Sequence, residues 1–222
     1  MGIVRRKEMK DIAIFGAGGF GKEVACLINR INNEMPTWNF IGYFDDGVNK
    51  GTWISHYGEV LGGMKELNAW ATTLDIVMAI GNPQSIKNVR ERIDNPNVSF
   101  PNVIHPDIII EDPDTCRLGE GNIFQGGCSL SCDVTIGNYN VFNGSVSMGH
   151  DDCIGNYNVI MPAVRISGEV EMGDCNLIGV GSIILQQLKI GDYVRLGAGA
   201  VLFTKPKDNN TYIGNPAKVF KF

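Results

Sequence analysis

Apolar residues recur in the second half of the chain with a period of six. From Leu118, every sixth residue is large and apolar, through Phe124, Leu130, Ile136, Phe142 and Met148 to Leu202, fifteen positions in a row. With 44% apolar residues overall, chance would fill roughly half of them. A helix repeats every 3.6 residues and a strand every 2, so neither explains six. A short strand followed by a turn does, and hexapeptide repeats of that kind build β-helices. A glycine follows the apolar anchor at 119, 137, 149, 155, 173, 179, 191 and 197, and is expected to make the turn. The hexads "LGEGNI", "IGNYNV", "IGNYNV", "MGDCNL" and "IGDYVR" begin at 118, 136, 154, 172 and 190 and resemble one another more than the hexads between them. Three hexads therefore make one coil of a three-sided prism. Asn140 is expected to stack on Asn158, and Tyr139 on Tyr157, in about five coils from 118 to 205.

The first hundred residues follow another pattern. Asp11–Phe15 reads as a strand, Gly16-x-Gly18-x-x-Gly21 as a turn and Lys22–Ile31 as a helix. A strand at Phe40–Phe44 ends in Asp45-Asp46, another runs from Asp75 to Pro83, and "QSIKNVRERI" reads as an amphipathic helix. This alternation predicts an α/β N-terminal domain with a small Rossmann-like parallel sheet of about three strands. The expected organisation is a flexible tail over 1–9, a nucleotide-binding domain over 10–104 and an all-β parallel β-helix domain over 105–222. The glycine turn can offer backbone N–H groups to a phosphate at a helix N-terminus. Asp45 stands 24 residues after Gly21, where an acidic side chain could meet a ribose hydroxyl. Half a dinucleotide fold suits one nucleotide better than two.

Composition narrows the function classes. A formal net charge of −5 argues against a nucleic-acid binder. No apolar run approaches the ~20 residues of a membrane span, and "MGIVRRKEMK" carries no signal-peptide core. A cytoplasmic protein is expected. The six cysteines form no CxxC pair and there are only three histidines, which points to reduced thiols and no metal.

Of the three histidines, His150 has the surroundings for catalysis. It lies in "MGHDDCIG", two residues after anchor Met148, and should project from the prism. One coil on, Gly168 would leave space beside the imidazole, and Cys132 lies one coil back. Asp151 could hold the ring in one tautomer. No role is read for Asp152. His105, in "NVIHPDIII", is expected to be structural, and His56, in "WISHYGE", to sit in a loop.

The period, the GAGGFG turn, Asp45-Asp46, the "AIGN" strand end and the closing "GNPAK" together make the chain resemble the left-handed β-helix, hexapeptide-repeat acyltransferases. Within them it is similar to bacterial UDP-4-amino-sugar N-acetyltransferases and sialic acid O-acetyltransferases. The resemblance implies a left-handed prism, a homotrimer with sites between subunits, acetyl-CoA as acyl donor and no metal. It implies that Gly18, Gly19, Phe20, Asp45 and Asp46 bind the nucleotide sugar. The "GHxCxIG"-like motif implies His150 as base and Asp151 as its orienting acid. Gly168, Val180 and Ala198 match positions that hold the pantetheine arm, and Lys218, with Lys205, could meet the adenosine phosphates. Two departures stand out: Phe20 replaces a histidine usual in the family, and Val159 replaces a second histidine nine residues after the base.

The expected function is acetyl-CoA-dependent N-acetylation of a UDP- or dTDP-linked 4-amino sugar in surface glycan synthesis. Alternatives are O-acetylation of sialic acid or another sugar, and a non-catalytic β-helix that binds sugar nucleotides. A trimeric metal-dependent β-helix enzyme needs about three histidine ligands, and only His150 lies within the coils.

Overall fold

The computed structural model describes residues 9–221. Of the expected tail over 1–9, only Met9 falls within them. The chain divides into two compact units, one reaching to Ala79 and resuming at Ile93–Phe100, the other comprising Ile80–Arg92 and Pro101–Phe222.

The first unit is built on β1 (Lys10–Phe15), α1 (Gly19–Glu34), β2 (Trp38–Phe44), β3 (Trp53–Ile54), β4 (Gly58–Gly62), α2 (Met64–Asn68), β5 (Leu74–Met78) and β6 (Val98–Ser99). In β1 the run Ile12–Phe15 is wholly buried, as a central parallel strand covered on both faces must be. In α1, Val24, Ala25, Leu27, Ile28 and Ile31 bury one stripe at helical spacing. The sheet order is β3-β4-β2-β1-β5-β6, with β3 antiparallel to β4 and the remaining pairs parallel. Six strands in a mixed sheet therefore replace the expected three-stranded parallel one. β3 and β6 are two residues long, too short to display a period of two, and β4 begins and ends in glycine, a turn signal.

The second unit contains α3 (Pro83–Arg92), where the sequence placed its amphipathic helix, and a parallel β-solenoid of two-residue strands. Its three faces carry seven, six and five parallel strands, the first extended by one antiparallel strand at Lys218–Phe220. The inward anchors fuse into one core from Phe124 to Tyr212. The coils outnumber the five expected, because the solenoid begins at Val103 rather than Leu118. In that first coil the anchors are Ile104, Ile110 and Leu118. Two extra residues in the corner before Leu118 break the count of six.

The turns are made differently from the sequence expectation. Every sixth residue from Gly121 to Gly199 has φ between 56° and 75°, three places after the anchor, and includes Asp133, Tyr139, Ser145, Asp151 and Tyr157. These left-handed corners are sterically costly for L-residues. Interstrand bonds between coils, such as Gly155 N–H to Met172 O at 2.7 Å, hold them. The glycine after the anchor serves packing instead. A Cβ on Gly137 would stand 2.6 Å from Gly155 O, and one on Gly155 2.7 Å from Gly173 O.

One corner is filled by buried asparagines. Asn158 Nδ2 donates to Asn140 Oδ1 (3.0 Å) and Gly173 O (2.9 Å), while its Oδ1 accepts from Asn176 N (2.8 Å) and Asn176 Nδ2 (2.9 Å). Asn122, Asn140 and Asn176 repeat the arrangement. Tyr139 and Tyr157 stack outside this corner at 5.4 Å, as expected. Helix α3 reaches the tyrosines through Arg90 Nε, which donates to Tyr139 OH at 2.7 Å, and Lys87 Nζ, 3.4 Å from Tyr193 OH.

Candidate functional site

His150 lies on the corner between the strands Ser147–Met148 and Cys153–Ile154. The corner is fixed by its backbone. Gly149 N–H donates to Ile166 O (3.0 Å) and Glu169 N–H to His150 O (2.8 Å). His150 Nδ1 is 2.7 Å from Asp151 Oδ2, and both side chains are more than half exposed. The bond to Asp151 raises the imidazole pKa above its usual 6.5; partial desolvation opposes it, and the charges of Asp151, Glu169 and Asp152 add to it. With the Nδ1 proton given to Asp151, Nε2 is left as the free lone pair.

The ring lies over Gly168, one coil on. A Cβ there would stand 2.7 Å from Nε2 and 2.8 Å from Cε1. The space that the sequence assigned to Gly168 is thus occupied by the imidazole. Asp152 turns the other way, into the prism, with one oxygen accepting from Val170 N at 2.9 Å.

Val180 and Ala198 are both exposed and lie one above the other on a different corner, paired through Gly199 N–H to Val180 O at 2.8 Å. The flanking Gly181 and Gly199 have nothing within 4 Å of where a side chain would begin, so this backbone lies open to an extended ligand. Lys218 is exposed on the terminal antiparallel strand. Val159 is wholly buried.

In the first unit the glycine turn divides by function. Gly16 has φ +114° and a Cβ there would meet Ala79 O at 2.6 Å; one on Gly21 would meet Gly16 O at 2.1 Å. Gly18 and Gly19, by contrast, have open space around them. Gly18 caps α1 without a side-chain bond, and Phe20 lies half-buried in its first turn. Asp45 shapes the turn, accepting from Ala17 N and Gly47 N, each at 2.8 Å. Asp46 Oδ1 accepts from Met64 N at 2.7 Å, at the start of α2. Beside the two aspartates lies an open depression of about 360 Å³ lined also by Asn49, Lys50, Gly63 and Lys65. Gly16→Ala is expected to destabilise by about 2 kcal/mol or more, from strain at positive φ and a backbone clash. Gly18→Ala should leave the melting temperature unchanged, as a thermal melt would read.

The other histidines make no such arrangement. His56 is exposed beside Ser55 Oγ (3.3 Å). His105 packs against Gly126, and its Nδ1 accepts from Asp107 N at 3.1 Å. The cysteines are free thiols, two of them buried. Among the described residues no helix is long and apolar enough to cross a membrane, and no three His, Cys, Asp or Glu gather as a metal site would need.

Residues 11–93 match the family model described as the PglD N-terminal domain. The match spans most of the first unit and helix α3 of the second. No curated protein sequence matches the chain. Solved structures match along nearly its whole length. The acetyltransferase domain of PglB from Neisseria gonorrhoeae, solved with acetyl coenzyme A, is 27% identical with a TM-score of 0.86, covering 96% of this chain and 100% of that one. WeeI from Acinetobacter baumannii is 26% identical with a TM-score of 0.84, over 96% and 100%. Perosamine N-acetyltransferase from Caulobacter crescentus, solved with CoA and GDP-perosamine, is 23% identical with a TM-score of 0.83, over 97% and 99%. That last likeness speaks to the fold alone. The chain is thus similar over nearly its whole length to sugar acetyltransferases of the left-handed β-helix, hexapeptide-repeat kind.

Proposed function

We propose that this protein transfers an acetyl group from acetyl-CoA to the amine of a nucleotide-linked amino sugar. The observation that carries the reading is His150: an exposed imidazole, bonded through Nδ1 to Asp151 and laid over Gly168. It stands in a protein with the fold of an acetyltransferase solved with acetyl-CoA.

When bound, acetyl-CoA supplies an activated thioester. His150 Nε2 takes the proton from the acceptor nitrogen as that nitrogen attacks the thioester carbonyl, Asp151 stabilises the imidazolium that forms, and His150 returns the proton to the CoA sulfur as the C–S bond breaks. The open backbone at Val180 and Ala198 suits the amide-bearing pantetheine arm, and Lys218 and Lys205 suit phosphates as point charges. Gly18 and Gly19 leave room for a diphosphate at the N-terminus of α1. Val180 and Ala198 occupy a different corner from His150. A groove that uses both kinds of corner forms where two prisms lie side by side, which supports a homotrimer with its sites between subunits. Val180, Ile183 and Phe203, exposed at 45%, 37% and 50%, supply apolar surface for such a contact. An O-acetyltransferase would use the same base, and the choice of acceptor atom rests with the substrate trial.

The test is free-thiol release from acetyl-CoA with UDP-, dTDP- and GDP-linked amino sugars, run on wild type and His150→Ala. Turnover with one of them that collapses in the mutant is expected; turnover that survives the mutation removes His150 as the base. Asp151→Asn is expected to lower kcat by about tenfold, because the tautomer is no longer held. It should also move the acid limb of kcat/KM to lower pH. The sign follows from the raised His150 pKa: the carboxylate favours the protonated ring, so its loss frees the base at lower pH.

A further inference from the structure

Asp152 is a charged residue in the wrong place for a charge. It is 1% exposed and occupies the inward corner position that Val134 and Val170 fill one coil either side. Its Oδ1 accepts from Val170 N at 2.9 Å, while Oδ2 is buried with no hydrogen-bond partner. The Gly149 amide lies close to the carboxyl but gives its hydrogen to Ile166 O.

The asparagine corner of the same prism shows what that place requires. There Asn140 Oδ1 accepts from the backbone N–H 18 residues on, and Nδ2 donates to the carbonyl 15 residues on, Gly155 O at 2.9 Å. Asp152 Oδ1 makes the first of these bonds to Val170, and by the same repeat its Oδ2 corresponds to the donor aimed at the carbonyl of Ser167. Oxygen can donate there only as O–H. An ionised Asp152 would set an unpaired charge in an apolar core facing a carbonyl dipole, a costly arrangement.

The geometry points to Asp152 as a positioning residue for His150: a carboxyl kept protonated, standing in for the corner asparagine, that ties the turn bearing the imidazole to the coil carrying Gly168. The inference rests on His150 as the base. Burial pushes the Asp152 carboxyl up to about 7; the Val170 and Gly149 amides and the His150 charge pull against it, and Asp151 adds to it. The charged groups around it are His150 and Asp151 on its own turn, with Glu169 on the next coil beside the imidazole; Val134 and Val170 pack against it as apolar neighbours. As pH rises past about 7 the acid ionises. The new charge loosens the turn and holds His150 in its protonated form.

Asp152→Asn supplies the missing donor and removes the ionisation. Because the folded pKa is raised, the wild-type contribution is complete below the usual carboxylate value and is lost as pH rises to about 7. The difference in melting temperature between Asp152→Asn and wild type should therefore grow in favour of the mutant from about pH 4 to about pH 7 and stay flat above. The expected gain is roughly 5 °C. Acetyl transfer by Asp152→Asn should equal wild type at pH 6 and exceed it above pH 7, whereas Asp152→Ala should lose both melting temperature and kcat at every pH. Parallel melting curves for wild type and Asp152→Asn would mean the acid is ionised throughout and overturn the inference. So would an Asp152→Asn that loses turnover at every pH, since a carboxylate would then be needed. If no acceptor sugar turns over, the melting curves still decide the state of Asp152, and the failure belongs to the catalytic reading alone.

Discussion

Gly168→Ala is expected to cut acetyl transfer about a hundredfold while leaving the prism folded. The methyl group would stand 2.7 to 2.9 Å from three atoms of the His150 ring, so the imidazole must swing off the next coil. Displacement of a base by ~1 Å costs on the order of a hundredfold, and loss of the base ~10²–10⁴. The backbone at Gly168 has ordinary φ, so the substitution strains nothing else. The measurement is kcat beside His150→Ala, with circular dichroism to report the fold. A Gly168→Ala enzyme as active as wild type would show that the ring works from another position. Additivity separates the explanations: if Gly168 acts only through the imidazole, the double mutant with His150→Ala should be no slower than His150→Ala alone.

The largest stability effect is expected inside the asparagine corner. Asn158→Ala removes four hydrogen bonds and leaves Gly173 O, Asn176 N and one bond of Asn176 Nδ2 unmet beside asparagines with no exposure. Each buried polar group left without a partner costs ~1–3 kcal/mol, so a loss of roughly 3–6 kcal/mol is expected. For a chain of this size that is about 10–20 °C in melting temperature. Asn158→Asp keeps the accepting oxygen but loses the donor. It should be destabilised at pH 7 and partly recover in acid, where the carboxyl can donate. Thermal melts at the two pH values read this directly, and equal losses at both would contradict it. Each coil touches only its neighbours, so the damage should appear first as hydrogen exchange around 140–176.

The sequence by itself determined the coil. A period of six in apolar residues, with hexads matching every 18, is enough to fix which residues point inward, that three strands make a turn, and that Asn140 and Tyr139 meet Asn158 and Tyr157. It also placed His150 outside the prism with Gly168 beside it. These features follow from a repeat that is one-dimensional: neighbours in space are neighbours at a constant spacing in sequence. Where the spacing changes, the reading fails, and the coil from Val103 was missed because its corner carries two extra residues. Of the extra strands in the first unit, β3 and β6 were missed because two residues cannot show a period, and β4 because its five residues begin and end in glycine, a turn signal. Tertiary structure alone decided which glycines are needed for what. Left-handed φ fell three places after the anchor, on tyrosine and aspartate as readily as on glycine. The glycines beside the anchors answer to the backbone of the next coil. The same holds for Asp152. In sequence it is one of two adjacent acids, and only the alternation of the corner sends Asp151 out to the histidine and Asp152 into the core.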